Sequence, residues 1–226
     1  MRLYSFYLRY VSPLRSNTVI FRWLFGFYPA KALWGQYWDW TTLALRSVLR
    51  RYLKPDMALL DMGCGPYAVL SRFAHRKLNC SAITGADHCQ ELIDYARQTD
   101  PESGIAYVCS DLFDSISGRF ALIVFNAPYI EAGRGEQKGL FPTSLTRKRF
   151  CGGKEGVQTI ARFLQDAPSY LQPGGKVLLG VNHYHIGREA VRSEIFRSGL
   201  RTVATLTNPL TKACVYVLME KGNAEM

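Results

Sequence analysis

The sequence predicts an α/β protein built on a seven-stranded, mostly parallel sheet, with an antiparallel hairpin at one edge and helices on both faces. Three observations carry that prediction. From Leu59 onward, short apolar runs alternate with stretches of helical character, the pattern of parallel strands joined by covering helices. The run ending at Asp61 passes directly into a glycine-rich turn, DMGCGPY at 61–67. The last two strand-like runs, 201–206 and 213–220, are separated by a short segment containing Asn208 and Pro209, too short for a helix, so they must pair antiparallel.

Residues 1–55 form a basic, aromatic arm, expected to be helical and to serve the substrate side as a lid. They carry nine Lys/Arg against one acid, Asp39, whereas 56–226 carry nineteen against seventeen. So uneven a charge suits docking to an anionic partner, whether nucleic acid, ribosome, acidic protein face or membrane surface; a solvated helix face gives the same pattern. Arg2, Arg9, Arg15 and Arg22 break up any apolar run of signal-peptide type. The most hydrophobic stretch, 19–34, contains Arg22, Pro29 and Lys31 and is shorter than the about 20 apolar residues of a membrane span, so no integral span is expected.

The body, 56–226, follows. Strands are expected at 58–62, 82–86, 106–109, 120–126, 176–182, 201–206 and 213–220, and helices at 69–76, 90–98, 157–171 and 189–197. Gly174 and Gly175 mark the turn into the fifth strand. Residues 131–156, EAGRGEQKGLFPTSLTRKRFCGGKEG, are glycine-rich and basic with little periodicity and read as a long loop, either functional or disordered. The six cysteines form no CxxC pair and have no histidine at ligand spacing. Neither a disulfide framework nor a metal site is expected, and a reducing, cytoplasmic location fits. His183 and His185 follow the fifth strand without metal-ligand spacing; pocket lining is open to His183 and Asn182.

Glycines in DMGCGPY let the backbone approach a ligand, and the helix after them offers free N–H groups. Gly63, Gly65 and Ala68 also satisfy the GxGxxA dinucleotide pattern with Asp87 about 20 residues on, so NAD fits these glycines too. Three carboxylates favour S-adenosylmethionine (SAM). Asp61 stands where it can hold a cationic amino group, which NAD lacks. Asp87, followed by His88, can accept from ribose hydroxyls. Asp111, in CSDLFD, can accept from an adenine amino group, with Leu112 or Phe113 covering the ring. Cys64 fills the space between the two glycines.

The strand FALIVFNAPYI at 120–130 ends abruptly in Asn126, Ala127, Pro128 and Tyr129. A planar amide or exocyclic amine has a delocalised lone pair and attacks a sulfonium poorly. The side-chain oxygen of Asn126 and the carbonyl of Ala127 can accept its two N–H bonds while Pro128 fixes the chain direction and Tyr129 stacks on the flat group. Orientation then carries the catalysis without a strong base.

With these residues the chain resembles the Asn-Pro-Pro-Tyr amino-methyltransferases, most closely the HemK-type protein-glutamine methyltransferases and their small-domain relatives. The resemblance runs from about Trp34 to Glu220. It rests on DMGCGPY, GADHCQELIDYAR, FNAPYI and the run FCGGKEGVQTIARFLQDAPSYLQPGGKVLLGVN. It implies a Rossmann-like class I methyltransferase fold, with Asp61, Gly63 and Gly65 in the SAM loop, Asp87 at the ribose, Asp111 at the adenine and Asn126 to Tyr129 at the acceptor. WGQYWDWTT at 34–42 matches an element that closes over the site, with Trp38 and Trp40 as pocket walls. Ala127 replaces the family's first proline, Tyr67 a third glycine, and Ala121 a frequent Asp; about 33 residues stand in place of the family's helical amino-terminal domain. The expected reaction is methyl transfer from SAM to a planar or amine nitrogen. RNA or DNA, then protein, are favoured as acceptor over a small molecule, with Tyr129, Arg147 and Arg149 also on the substrate side. Alternatives are a small-molecule methyltransferase, an NAD-dependent oxidoreductase and a non-catalytic binding protein of the same fold.

Overall fold

A computed structural model of the chain describes residues 12–30 and 36–222. Arg2, Arg9 and Trp34, used above, lie outside the described residues. Seven strands, β1 (Leu59–Met62), β2 (Ile83–Asp87), β3 (Ala106–Cys109), β4 (Phe120–Asn126), β5 (Leu171–Asn182), β6 (Leu200–Thr207) and β7 (Ala213–Glu220), make one sheet in the order β3-β2-β1-β4-β5-β7-β6. Strands β1 to β5 pair in parallel, β7 runs antiparallel to β5, and β6 pairs antiparallel with β7 at the edge, as the short connection demands.

Buried parallel strands carry apolar residues on both faces, because helices cover both. Leu59, Leu122, Val124 and Leu178 point into one core, while Leu60, Met62, Ile123, Phe125 and Leu179 point into the other. The first core is closed by α1 (Thr18–Phe25), α2 (Trp40–Tyr52), α3 (Val69–Leu78) and α4 (Gln90–Thr99), through Phe21, Phe25, Leu45, Leu49, Phe73 and Ile93. The two short helices α5 (Ala132–Gln137) and α6 (Ser144–Phe150) then follow β4. The second core is closed by α7 (Gln158–Asp166) and α8 (Arg188–Arg197), through Ile160, Phe163, Leu164, Val191 and Ile195. Among the described residues no helix is long and apolar enough to cross a membrane.

Two expectations are corrected. The helix expected over 157–171 stops at Asp166 and continues as a 3-10 turn, Ala167–Tyr170, because Pro168 has no N–H to continue the α-helical ladder. Leu171 therefore already belongs to β5, which starts five residues before Lys176 and is irregular where it pairs with Phe120 and Leu122. The loop expected over 131–156 contains α5 and α6; Thr143 and Thr146 form a reciprocal capping box at the start of α6. Both helices are too short for apolar periodicity to reveal them.

The connection order reverses between β1 and β4, which are neighbours in the sheet. In such folds ligands bind in the crevice beyond the strand carboxyl ends at that point. Met62 pairs with Phe125 on one side and Ala86 on the other, so the DMGCGPY loop emerges between Asp87 and Asn126.

Candidate active site

Gly63 and Gly65 adopt φ of 65° and 64°, a region that favours glycine, and carry the chain over the ends of β1 and β2. Asp87 clamps this loop: its Oδ2 accepts from the Gly65 N–H at 3.1 Å and its Oδ1 from the Cys89 N–H at 3.1 Å, with His88 Nδ1 3.4 Å away. Asp61 is buried and its Oδ2 accepts from Ser71 N (3.0 Å) and Ser71 Oγ (2.6 Å) in the first turn of α3, leaving Oδ1 for another donor. Burial pushes the Asp61 carboxyl up to about 7 against these hydrogen bonds, with the Asp87 charge adding to the rise. The Cys64 thiol is held well above its ordinary range by burial and by Asp61 and Asp87, so it stays neutral.

The NAPY corner is gripped from three sides. On the first, Ala127 N–H donates to Gly180 O of β5 at 3.2 Å. On the second, the chain from Cys151 to Gly156 folds back onto the corner. Ile130 N–H donates to Phe150 O and Gly152 N–H to Ile130 O, each at 2.9 Å. A Cβ at Gly152 would stand 2.3 Å from Gly156 O and 2.7 Å from Pro128 O, and one at Gly156 would stand 2.8 Å from Tyr129 O. Gly152 and Gly156 of the GG-x-x-G element are thus required by backbone lying against the NAPY turn.

The third side is α2. At Gly180 a side chain would meet Leu45 Cδ1 at 2.6 Å and Thr41 Cγ2 at 2.8 Å, so its absence lets α2 lie close against β5. The start of that helix consequently reaches Asn126 and Tyr129. Asp39 caps α2: its Oδ1 accepts from Thr42 N at 2.6 Å and from Thr42 Oγ1 at 2.8 Å, and Asp39 N–H donates to Thr42 Oγ1 at 3.4 Å. Asn126 Nδ2 donates to Thr42 Oγ1 at 3.3 Å and Asp39 Oδ1 at 3.5 Å. Asn126 Oδ1 is buried and has no hydrogen-bond partner. The Tyr129 hydroxyl lies 3.3 Å from Thr41 Oγ1; burial, reinforced by Asp39, raises its pKa and keeps it a neutral phenol. His185 is roughly parallel to the Tyr129 ring at 6.1 Å; its Nδ1 is buried without a partner, and its pKa is lowered by burial and then by Arg134 of α5 and Lys138 just after it.

Asp61, Gly63, Cys64, Gly65, Asp87, His88, Asn126, Ala127, Pro128 and Tyr129 therefore gather along the ends of three neighbouring strands, β2, β1 and β4. Arg149 joins them, its Nη2 3.8 Å from where a Cβ on Gly65 would lie; burial lowers its pKa, opposed by Asp87, Tyr67 and Asp39. Other expected residues lie elsewhere. Arg147 is exposed and ion-paired with Glu136. The Asp111 carboxylate turns outward to an exposed ion pair with Arg162 of α7 at 3.0 Å, while Leu112 beside it is buried at φ 50°. Trp38 and Trp40 meet edge to face at 5.5 Å and pack with Phe25 into the first core; the Trp38 indole N–H is buried without a partner. His183 is bound to Ile186 O and the Tyr216 hydroxyl. Among the described residues no cluster of His, Cys, Asp and Glu could hold a metal. Asp39, Thr41, Thr42 and His185 were not singled out from sequence as site residues; the spacing Asp39-x-x-Thr42 is a capping-box signal that marks the first three.

Comparison with known proteins gives the following. No family profile matches the chain. The chain is 29% identical over 168 residues to a release factor glutamine methyltransferase of Yersinia pestis, covering 73% of this chain and 60% of that protein. It is 29% identical over 104 residues to a ribosomal protein uL3 glutamine methyltransferase of Neisseria gonorrhoeae, covering 45% of this chain and 34% of that one. The chain thus spans about 60% of the length of the Yersinia relative. A solved methyltransferase from Pyrococcus furiosus superposes with a TM-score of 0.66 at 20% identity, over 96% of this chain and 100% of the other.

Proposed function

We propose, for a chain that has the class I methyltransferase fold and is related in sequence to protein glutamine methyltransferases, that it transfers a methyl group from SAM to the side-chain amide nitrogen of a glutamine in a protein. The observation that carries this reading is the buried, unpartnered Oδ1 of Asn126, one strand over from the glycine loop. An orphaned buried acceptor costs stability and calls for a donor, and a primary amide brings two.

SAM, when bound, supplies an electrophilic methyl on a sulfonium and departs as S-adenosylhomocysteine. Asp61 Oδ1 suits its ammonium group and Asp87 its ribose hydroxyls, at the floor formed by Gly63 and Gly65. Arg149 suits the carboxylate of the methionine portion. Asn126 Oδ1 accepts one N–H of the acceptor amide and the Ala127 carbonyl the other, which turns the nitrogen lone pair toward the methyl; as the nitrogen gains the methyl it gives up one of these protons to solvent. Pro128 and the Ala127 bond to Gly180 fix that carbonyl. Tyr129, neutral and backed by His185, supplies the flat wall.

The relatives act on a release factor and a ribosomal protein, which supports protein over the nucleic acid favoured from charge alone. A cytoplasmic location accords with such substrates. The basic amino-terminal arm, 1–55, is then the substrate-side segment, since Asp39, Thr41 and Thr42 stand at the acceptor end of the crevice. An NAD-dependent oxidoreductase would use the same glycines but leaves the orphaned Asn126 oxygen without a role.

The test is incubation of the chain with methyl-tritiated SAM and a cell extract, with RNA and protein separated afterwards. Label is expected in protein, released as methylamine on acid hydrolysis, and absent with Asn126→Ala. Label confined to RNA, or undiminished in that variant, would refute the reading.

A further inference from the structure

An asparagine amide is useful to this reaction in only one of its two orientations. With oxygen toward the crevice it accepts from the acceptor nitrogen; with nitrogen there it competes as a donor. We propose that Asp39 and Thr42 are positioning residues that hold Asn126 in the productive orientation, a proposal that rests on the functional reading above.

The argument is one of donor and acceptor polarity. Thr42 has one hydroxyl proton, and that proton is donated to Asp39 Oδ1 at 2.8 Å. Its oxygen therefore meets Asn126 only as an acceptor, at 3.3 Å. Asp39 Oδ1, a carboxylate oxygen, is an acceptor as well, 3.5 Å from Asn126 Nδ2. Both groups facing the inner side of the amide thus demand N–H. Rotating the amide by half a turn would set its oxygen against two oxygens and forfeit both bonds. The capping box of α2 anchors the pair in turn, through Asp39 Oδ1 to Thr42 N and Asp39 N–H to Thr42 Oγ1. The buried Oδ1 of Asn126 is left without a partner, as the acceptor for a donor of the substrate. Tyr129 is tied to the same helix start through Thr41 Oγ1, so the acceptor wall and the acceptor oxygen share one support.

Asp39→Gly removes the carboxylate with little harm to α2, because glycine is well tolerated at a helix N-cap. No oxygen at position 39 then faces Asn126, and the Thr42 hydroxyl proton, no longer held by Asp39, is free to meet the Asn126 oxygen, which removes the demand on Asn126. Thr42→Val removes the second demand, and Thr42→Ser restores it.

Two measurements on the full chain decide the matter. The first is the side-chain amide signal of Asn126 in protein labelled with nitrogen-15 asparagine, assigned by its loss in Asn126→Ala. Its hydrogen exchange is expected to be slower than that of exposed asparagine side chains by at least about tenfold, to speed up in Asp39→Gly and Thr42→Val, and to stay slow in Thr42→Ser. The second is the initial rate of tritium transfer from SAM to protein. A roughly 10- to 100-fold loss is expected in Asp39→Gly and Thr42→Val, the scale of a misplaced catalytic group, with S-adenosylhomocysteine affinity unchanged and Thr42→Ser recovering most of the rate. An Asn126 signal identical in wild type and Asp39→Gly overturns the proposal, and so does a shifted signal with an undiminished rate. If the wild-type chain transfers no label at all, the functional reading falls, and the exchange data still decide whether Asp39 and Thr42 orient the amide.

Discussion

Replacing Asp61 by asparagine should stabilise the protein at alkaline pH while weakening its hold on the cofactor. Asp61 is buried, and its carboxyl is raised from 3.8 to about 7, chiefly by burial. The sign follows from proton linkage. Below pH about 4 the group is protonated folded and unfolded, and no penalty arises. Between about 4 and 7 the unfolded chain gives up the proton and the folded chain keeps it, so stability falls as pH rises. Above 7 the penalty is constant. A shift of about three pKa steps at ~1.4 kcal/mol each gives a plateau of about 4 kcal/mol, an order-of-magnitude figure. Asparagine escapes that penalty but buries an N–H pair without a partner, at a cost of about 1 to 3 kcal/mol. Ser71 N and Ser71 Oγ both bond to a single oxygen, which the amide oxygen replaces. The variant should thus be less stable than wild type near pH 4 and more stable, by about 1 to 3 kcal/mol, at pH 8. Urea denaturation of both proteins from pH 4 to 8 measures the crossing, and calorimetry with S-adenosylhomocysteine at pH 8 measures the binding lost. A stability difference flat across that range would refute the assignment of a raised carboxyl to Asp61.

Four further outcomes are expected. Gly152→Ala would force a Cβ against the carbonyl oxygens of Pro128 and Gly156, which cannot yield, so melting should report a loss of about 3 kcal/mol or more together with activity. Gly180→Ala would push α2 off β5 at Leu45 and Thr41; a loss of about 1 to 3 kcal/mol is expected, with methyl transfer reduced further than cofactor binding. Asp87→Ala, which removes the acceptor for Gly65 and Cys89 N–H, should weaken S-adenosylhomocysteine by about 1 to 3 kcal/mol in calorimetry. Arg149→Met should weaken S-adenosylhomocysteine about tenfold and leave 5′-methylthioadenosine, which lacks the carboxylate, unchanged; equal loss for both ligands would separate Arg149 from that carboxylate.

The sheet was legible because its strands are buried on both faces and announce themselves as apolar runs, Phe120 to Phe125 above all. The hairpin followed from chain length alone. The glycine loop and the corner were legible because backbone constraints select glycine and proline at particular positions. What escaped was long-range. Nothing local to Asp39 and Thr42 shows that their helix will lie on Gly180, 138 positions beyond Thr42, and so reach Asn126. Asp111 illustrates the reverse: a carboxylate at a strand end reads like its neighbours Asp61 and Asp87, yet Arg162 from α7 draws it to the surface. The tryptophans carry amphipathic rings that suit a pocket wall or a core equally, and packing around Phe25 decided for the core.

One oxygen, Asp39 Oδ1, both starts a helix and meets the Asn126 amide. Helix ends fray on far shorter times than whole domains unfold, and each opening of the first turn of α2 releases Asn126 to rotate. On the proposed reading, turnover is the intrinsic rate multiplied by the fraction of time that turn is closed. On warming, activity should decline along the local opening curve of α2, well before calorimetry detects melting of the sheet, and a protein or peptide substrate that packs against α2 would raise its own rate of modification by holding that turn shut.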